Sequence, residues 1–192
     1  MSNLIVLDRD GILNKLLTDS DGKLDSPMKV SQVEIFPWVP TALKQLNDMG
    51  FGLVIATNQP AWAKGKVELE ALNQVHDYIV MRIQSKGAKI LSSHVCLHRS
   101  EDLCACRKPN TGLLQEAFDK HPEFSSIGSW MVGDRATDVM AGDSFKLQTA
   151  WLGSPVSDDD KLLNEINLMP TYRGQNLKDF VEFIKTQPSF SF

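Results

Sequence analysis

Apolar residues along this chain recur in two alternating rhythms. Leu4 to Leu7 is an unbroken apolar run, the mark of a strand buried on both faces. Phe51 to Thr57 repeats it, and Ile90 to Cys96, Ser129 to Val132 and Gln148 to Leu152 predict three further strands. Between them the spacing lengthens to threes and fours. Val39, Leu43 and Leu46 predict a helix within Pro37 to Met49, stopped by Gly50. Leu69, Leu72, Val75, Ile79 and Ile83 share one face of a long helix over Val67 to Gln84. Thr111 to His121 reads as a helix with Thr111 as its cap, and Thr137 to Gly142 starts another. Strands alternating with helices predict an α/β domain with a mainly parallel central sheet flanked by helices.

In such sheets ligands bind beyond the carboxyl ends of the strands. Asp8, Thr57, Cys96 and Asp134 each stand just after or at the end of an apolar strand run. From Ser154 onward the chain turns polar, through Asp158, Asp159 and Asp160, to a short amphipathic stretch around Leu177 to Ile184. A single domain over 1–192 is expected, with its core over about 4–153 and a peripheral segment over about 154–192 that carries no chemistry.

Composition narrows the function classes. Hydrophobic residues are 42% and charged residues 23% of the 192, an ordinary globular balance. A formal net charge of −4 offers no overall basic field for nucleic acid. No apolar run approaches the roughly 18 residues of a membrane span, and the short N-terminal apolar run meets Asp8-Arg9-Asp10 at once. A cytoplasmic monomer is expected, with neither nucleic acid nor a membrane as partner, and a small phosphorylated substrate is not excluded, since a local cation cluster or a bound metal can reverse the field at one site.

Asp8 and Asp10 lie two apart, on one face of an extended segment. Alone, the pair reads equally well as a solvated strand end before a Gly11 turn. Asp134 follows another strand, with Asp138 four residues on. Carboxylates gathered at adjacent strand ends make a hard-oxygen site that suits Mg²⁺. Thr57-Asn58-Gln59 offers a hydroxyl, amides and backbone donors for phosphate oxygens, and Arg107-Lys108 adds two cations.

The three cysteines of the chain, Cys96, Cys104 and Cys106, fall within eleven residues, with His98 among them. Three sulfurs and one imidazole make the closed set that structural Zn²⁺ requires. The bland alternative, buried inert thiols and a surface histidine, fits poorly with the polar loop Arg99 to Leu103. His76, His94 and His121 read as ordinary structural histidines.

These motifs together resemble the haloacid dehalogenase superfamily of phosphatases. They run in the family order: Leu7-Asp8-Arg9-Asp10-Gly11 with Asn14, Ala56-Thr57-Asn58-Gln59, Arg107-Lys108-Pro109, and Gly133-Asp134 with Asp138. The resemblance spans about Leu4 to Gly153 and implies a Rossmann-like fold with a minimal cap. It implies that Asp8 is a nucleophile forming an aspartyl-phosphate and that Asp10 is the general acid and base. Mg²⁺ would be held by the Asp8 side chain, the Asp10 carbonyl and Asp134. Thr57 and Lys108 would bind the phosphoryl group, and Asp138 would support the site.

Cys-x-His followed by Cys-x-Cys-Arg-Lys-Pro is similar to the heptose 1,7-bisphosphate phosphatase branch and its histidinol-phosphate phosphatase relatives. That resemblance adds Arg107 and Arg135, with Asn14, Asn58 and Gln59, as substrate-binding residues. It makes heptose bisphosphate, cut at the 7-phosphate, the expected substrate, with histidinol phosphate or another small sugar phosphate as the alternative. A phospho-acceptor signalling domain and a zinc-dependent nucleic-acid module are the readings from other classes. Where the family commonly has Ser-Gly after the second motif, this chain has Pro60-Ala61-Trp62, a departure that bears on substrate choice.

Overall fold

In a computed structural model of the chain, which describes residues 2–18 and 22–187, the apolar runs become a six-stranded sheet. The strands are β1 (Ser2–Leu7), β4 (Gly52–Asn58), β5 (Ile90–Cys96), β6 (Phe124–Gly133), β7 (Gln148–Trp151) and β8 (Tyr172–Arg173). Two short strands, β2 (Leu17–Thr18) and β3 (Leu24–Asp25), form a separate antiparallel pair. The helices are α1 (Val39–Asp48), α2 (Leu69–Gln84), α3 (Gly112–Lys120), α4 (Ala136–Ser144), α5 (Asp158–Glu165) and α6 (Leu177–Lys185).

Every pairing in the large sheet is parallel, in the order β5-β4-β1-β6-β7-β8. The chain therefore builds outward from β1 through β4 to β5, then returns to the other side of β1 for β6. That reversal opens a crevice beyond the carboxyl end of β1, where such sheets place ligands.

Burial explains the unbroken apolar runs. Leu4, Ile5, Val6 and Leu7 are all fully buried. Ile5 and Leu7 face a core cluster shared with Leu43 and Leu46 of α1 and Val75 and Ile79 of α2. Leu4 and Val6 face the opposite cluster, with Leu113, Leu114 and Ala117 of α3 and Ala141 of α4. The period of two sends alternate residues to opposite faces, and helices cover both. Gly50, at φ +85°, ends α1 in the left-handed conformation expected of a helix stop. Thr111 precedes α3 but its side chain makes no capping bond.

The C-terminal segment corrects the expectation of a peripheral tail. β8 extends the sheet, and Leu177, Phe180, Val181 and Ile184 of α6 are buried in the principal core. Trp130 of β6 meets Phe180 and Phe183 edge-on, at ring-centroid distances of 5.2 and 5.9 Å, and Tyr172 stacks on Phe183 at 4.4 Å. These rings give α6 a large apolar area to bury. No helix among the described residues is long and apolar enough to cross a membrane.

Candidate active site

Three strand ends converge in the crevice. The end of β1 delivers Asp8 and Asp10, β4 delivers Thr57 and Asn58, the turn after β6 delivers Asp134, and the first turn of α4 delivers Asp138. Lys108 enters from the segment before α3. With Arg107, Arg135, Ser26, Pro60 and Leu24, these residues line a cleft of about 340 Å³. Two glycines allow the close approach. A Cβ on Gly11, which sits at φ +88°, would clash with the Asp134 carboxylate, and one on Gly133 would clash with Asp138.

Lys108 holds the centre. Its Nζ donates to Asp8 Oδ1 at 2.9 Å and to the Ala56 carbonyl at 2.7 Å, and lies 2.6 Å from Asp138 Oδ1. Those are three acceptors for the three donors of one ammonium. Burial alone would lower the lysine's pKa, but Asp138 and then Asp8 outweigh it and raise it, so the residue is a fixed cation. Asn58 brackets the Lys108 backbone, accepting its N–H at 3.1 Å and donating to its carbonyl at 3.0 Å.

The acids are unequal. Burial pushes the Asp138 carboxyl up to about 6; Lys108 opposes the rise and Asp8 adds to it. Burial, then Asp8 and Asp138, push Asp134 well above the usual carboxylate range. Asp134 Oδ1 is buried without a hydrogen-bond partner. Oxygens of Asp8, Asp134 and Asp138 all lie within 4.8 Å of one another. Crowded carboxylates with an unmet oxygen fit a hard divalent cation such as Mg²⁺.

Asp10 is held apart from that group. Burial would raise its pKa, but Arg9 first, then Asn14 and Gln59, bring it below the ordinary value. Arg9 donates from Nη2 to Oδ2 at 2.8 Å, Asn14 from Nδ2 to Oδ1 at 2.8 Å, and Gln59 from Nε2 to Oδ2 at 2.5 Å. Asn14 and Gln59, expected at the substrate, are thus placed behind Asp10. Neither lines the cleft, because each amide reaches the nearer carboxylate. Arg107 and Arg135 do line it, but both are engaged: Arg107 Nη1 with the His98 carbonyl at 3.1 Å, and Arg135 Nε with Asp159 at 2.8 Å.

Beside the cleft, Cys96, His98, Cys104 and Cys106 bring one ligand atom each to within 4.8 Å of one another. Zn–S bonds of about 2.3 Å in a tetrahedron set sulfurs about 3.8 Å apart. The Cys96–Cys104 and Cys104–Cys106 separations are 3.6 and 3.5 Å, while Cys96–Cys106, at 2.8 Å, has to open. Burial pushes the Cys104 thiol up, but the Arg107 N–H and the neighbouring sulfurs outweigh it and bring it down to about 7. The donor set fits zinc.

Comparison with known proteins decides the family. A family model described as HAD-hydrolase-like matches residues 105–180. The D-glycero-β-D-manno-heptose-1,7-bisphosphate 7-phosphatase of Pasteurella multocida is 31% identical over 173 residues, covering 84% of this chain and 88% of that protein. The chain is a phosphatase of the HAD superfamily. The crystal structure of D,D-heptose 1,7-bisphosphate phosphatase from B. bronchiseptica, complexed with magnesium and phosphate, superposes with a TM-score of 0.80 at 26% identity. It covers 95% of this phosphatase and 98% of that chain. The histidine biosynthesis bifunctional protein HisB of Legionella pneumophila is 33% identical over 144 residues, 75% of this phosphatase but 39% of HisB.

Sequence reasoning gave no role to Arg9 or Asp159. Arg9 is fully buried and ion-paired with Asp10 at 2.8 Å. The available signal was an arginine set between two aspartates at the end of a buried run, where a charge needs a partner. Asp159 also accepts the Ala136 N–H at 2.8 Å. An acidic run about fifteen residues beyond α4 gave no sign of that contact.

Proposed function

We propose that this phosphatase hydrolyses a sugar phosphate through an aspartyl-phosphate on Asp8, with D-glycero-D-manno-heptose 1,7-bisphosphate as substrate and the 7-phosphate released. The observation that carries the reading is the contact of Asp8 Oδ1 with Lys108 in a cleft walled by Asp134 and Asp138. One nucleophilic carboxylate stands there beside a fixed cation and two acids of raised pKa. The heptose-bisphosphate relatives point to the substrate.

Mg²⁺ would be held by the Asp8 side chain, the Asp10 carbonyl and Asp134, and would offset negative charge on nucleophile and phosphate. Asp8 attacks phosphorus with its carboxylate oxygen. Lys108 and Thr57 hold phosphoryl oxygens as charge builds on them. Asp10 gives a proton to the leaving oxygen, then takes one from the water that cleaves the acyl phosphate. Its present bonds suit the second half, since they favour the ionised form. A proton on Oδ2 in the first half displaces one of the donors there, and the remaining bonds keep the carboxyl aimed at the leaving oxygen. The thiol–imidazole set would hold structural zinc, fixing the segment that leads into Lys108.

The similarity to HisB supports histidinol phosphate as the second reading. Phosphate release from both heptose bisphosphate anomers and from histidinol phosphate, with the position of cleavage scored, separates the two. Preferential loss of the 7-phosphate supports the first; faster turnover of histidinol phosphate overturns it. Chelation should abolish turnover and added Mg²⁺ restore it, while zinc stays bound. Full activity in chelator would refute the metal assignment.

A further inference from the structure

Behind Asp10, away from the substrate cleft, lies a second cavity of about 310 Å³, lined by Arg9, Gln59, Leu72, Asn73, His76, Asp77 and Val95. Four polar atoms of its lining residues are buried without hydrogen-bond partners: Arg9 Nη1, Gln59 Oε1, and both ring nitrogens of His76. Arg9 is fully buried and Gln59 is 1% exposed, so bulk solvent does not serve them. Buried polar groups left unmet are costly, and native proteins rarely keep them.

The four atoms are complementary in kind. Arg9 Nη1 donates and Gln59 Oε1 accepts. A neutral imidazole offers one donor and one acceptor. Burial, and then the Arg9 charge, bring His76 down to about 4 against the opposing pull of Asp77 and Asp10, so the ring is neutral near pH 7. The Arg9 charge is already balanced by Asp10, which leaves no surplus cation for an anion. An apolar occupant would leave every polar atom unmet. Water meets both kinds, and the space far exceeds the roughly 10–15 Å³ that one water needs.

We propose that this cavity is a water site, and that His76, through water held there, is a positioning residue for Arg9 and so for Asp10. The proposal rests on the role given to Asp10 above. Arg9 spends Nε and Nη2 on Asp10, at 3.3 and 2.8 Å; what meets Nη1 decides whether the guanidinium stays in that pose. Gln59 is in the same position, donating to Asp10 while its own side-chain oxygen is buried without a partner. The water cluster thus steadies two of the three side chains that hold the Asp10 carboxylate, and His76 on α2 is its far wall.

The test uses the intact enzyme and two substrates. Asp10 must protonate a sugar leaving group but not p-nitrophenolate, and kcat/KM reports the step that forms the aspartyl-phosphate. His76→Leu removes both polar atoms, and His76→Gln keeps a donor and an acceptor. For a sugar phosphate, kcat/KM of His76→Leu should fall about 10- to 100-fold, the range expected when a catalytic group is displaced by a fraction of an ångström. For p-nitrophenyl phosphate it should change less than about threefold, since that leaving group needs no proton. His76→Gln should recover most of the loss. A crystal structure of the wild type should show ordered water bridging Arg9 Nη1, Gln59 Oε1 and His76.

A dry cavity, equal losses on both substrates, or wild-type kinetics in His76→Leu would each overturn the proposal. Asp10→Asn keeps the two failures apart. If Asp10→Asn still turns over sugar phosphates well, the role of Asp10 is wrong. If it is inactive while His76→Leu is normal, only the cavity proposal fails.

Discussion

The carboxylate–lysine cluster and the thiol–imidazole cluster are neighbours built by opposite means. The first is assembled from segments far apart in the chain: Lys108 reaches Asp8 across 100 residues. Its members are largely buried, hard oxygens and one ammonium. The second is folded from eleven consecutive residues, soft and partly exposed. They meet at one short segment, where Cys104 Sγ accepts the Arg107 N–H at 3.4 Å and Asn58 grips the next residue, Lys108, from the sheet side. The fold must be complete before the first cluster exists, whereas a loop closure suffices for the second. We therefore expect damage to the first to abolish chemistry, and damage to the second to blur the placement of one cation.

Asp8→Asn is the largest test of that contrast. It preserves shape and removes the attacking charge, so kcat should fall at least about a thousandfold with the fold intact. Near-normal turnover in a folded Asp8→Asn enzyme would refute covalent catalysis. Lys108→Met ranks second. Loss of one donor aimed at developing charge costs about 10²–10³ in kcat, and saturating Mg²⁺ should not restore it. If Lys108→Met stays within tenfold of the wild type, Lys108 only neutralises Asp8 and Asp138, and the first cluster needs less precision than argued above.

How much of each cluster was legible follows from the same contrast. The thiol set was plain because its spacing is local, and the structure gathers the same four residues. Asp8, Thr57 and Asp134 were legible as strand-end residues because continuous apolar runs mark buried strands. Their convergence at one edge followed from the alternation of strands with helices, which makes the sheet parallel, while the direct pairing of β6 with β1 is decided by the fold. Gln59 shows the limit. An amide suits a phosphate or a carboxylate equally, and its choice of Asp10, 49 residues away, is made by the fold. α6 shows another limit. Its buried positions have helical spacing, but the Trp130 ring they pack against lies on β6, so nothing local distinguished a core helix from a surface one.

Cys104→Ser probes the second cluster and should cost less than either substitution above. A hydroxyl is a poor zinc ligand beside the remaining soft donors, and the sheet draws none of its hydrogen bonds from the loop. The released segment must be ordered each time Lys108 engages phosphate, which costs conformational entropy. An effect of about tenfold on kcat/KM is expected, with both kcat and KM worse and far-UV circular dichroism little changed. A zinc-free Cys104→Ser enzyme with wild-type kinetics would separate the clusters entirely.

The smallest effect concerns stability rather than rate, and lies on the buried side of the first cluster. His76 is held at about 4 in the folded protein, by burial first and Arg9 second, against an ordinary 6.5. Between those values the unfolded chain binds a proton that the folded chain refuses, so the unfolded state gains as pH falls. Stability owed to the neutral ring is complete above about 6.5 and is lost progressively down to about 4. Carboxylates also titrate at the acid end, so the wild type alone cannot isolate the histidine. His76→Gln can, because it removes this one titration and keeps the others. Urea unfolding of both proteins at pH 7, 5.5 and 4.5 should show the wild type losing more stability over that span. The excess should be on the order of 1 kcal/mol once solvent access to a partly buried ring is discounted. Parallel curves would mean that His76 protonates freely in the folded state, so that the wall of the cavity behind Asp10 is open to bulk water and the polar side chains there need no special occupant.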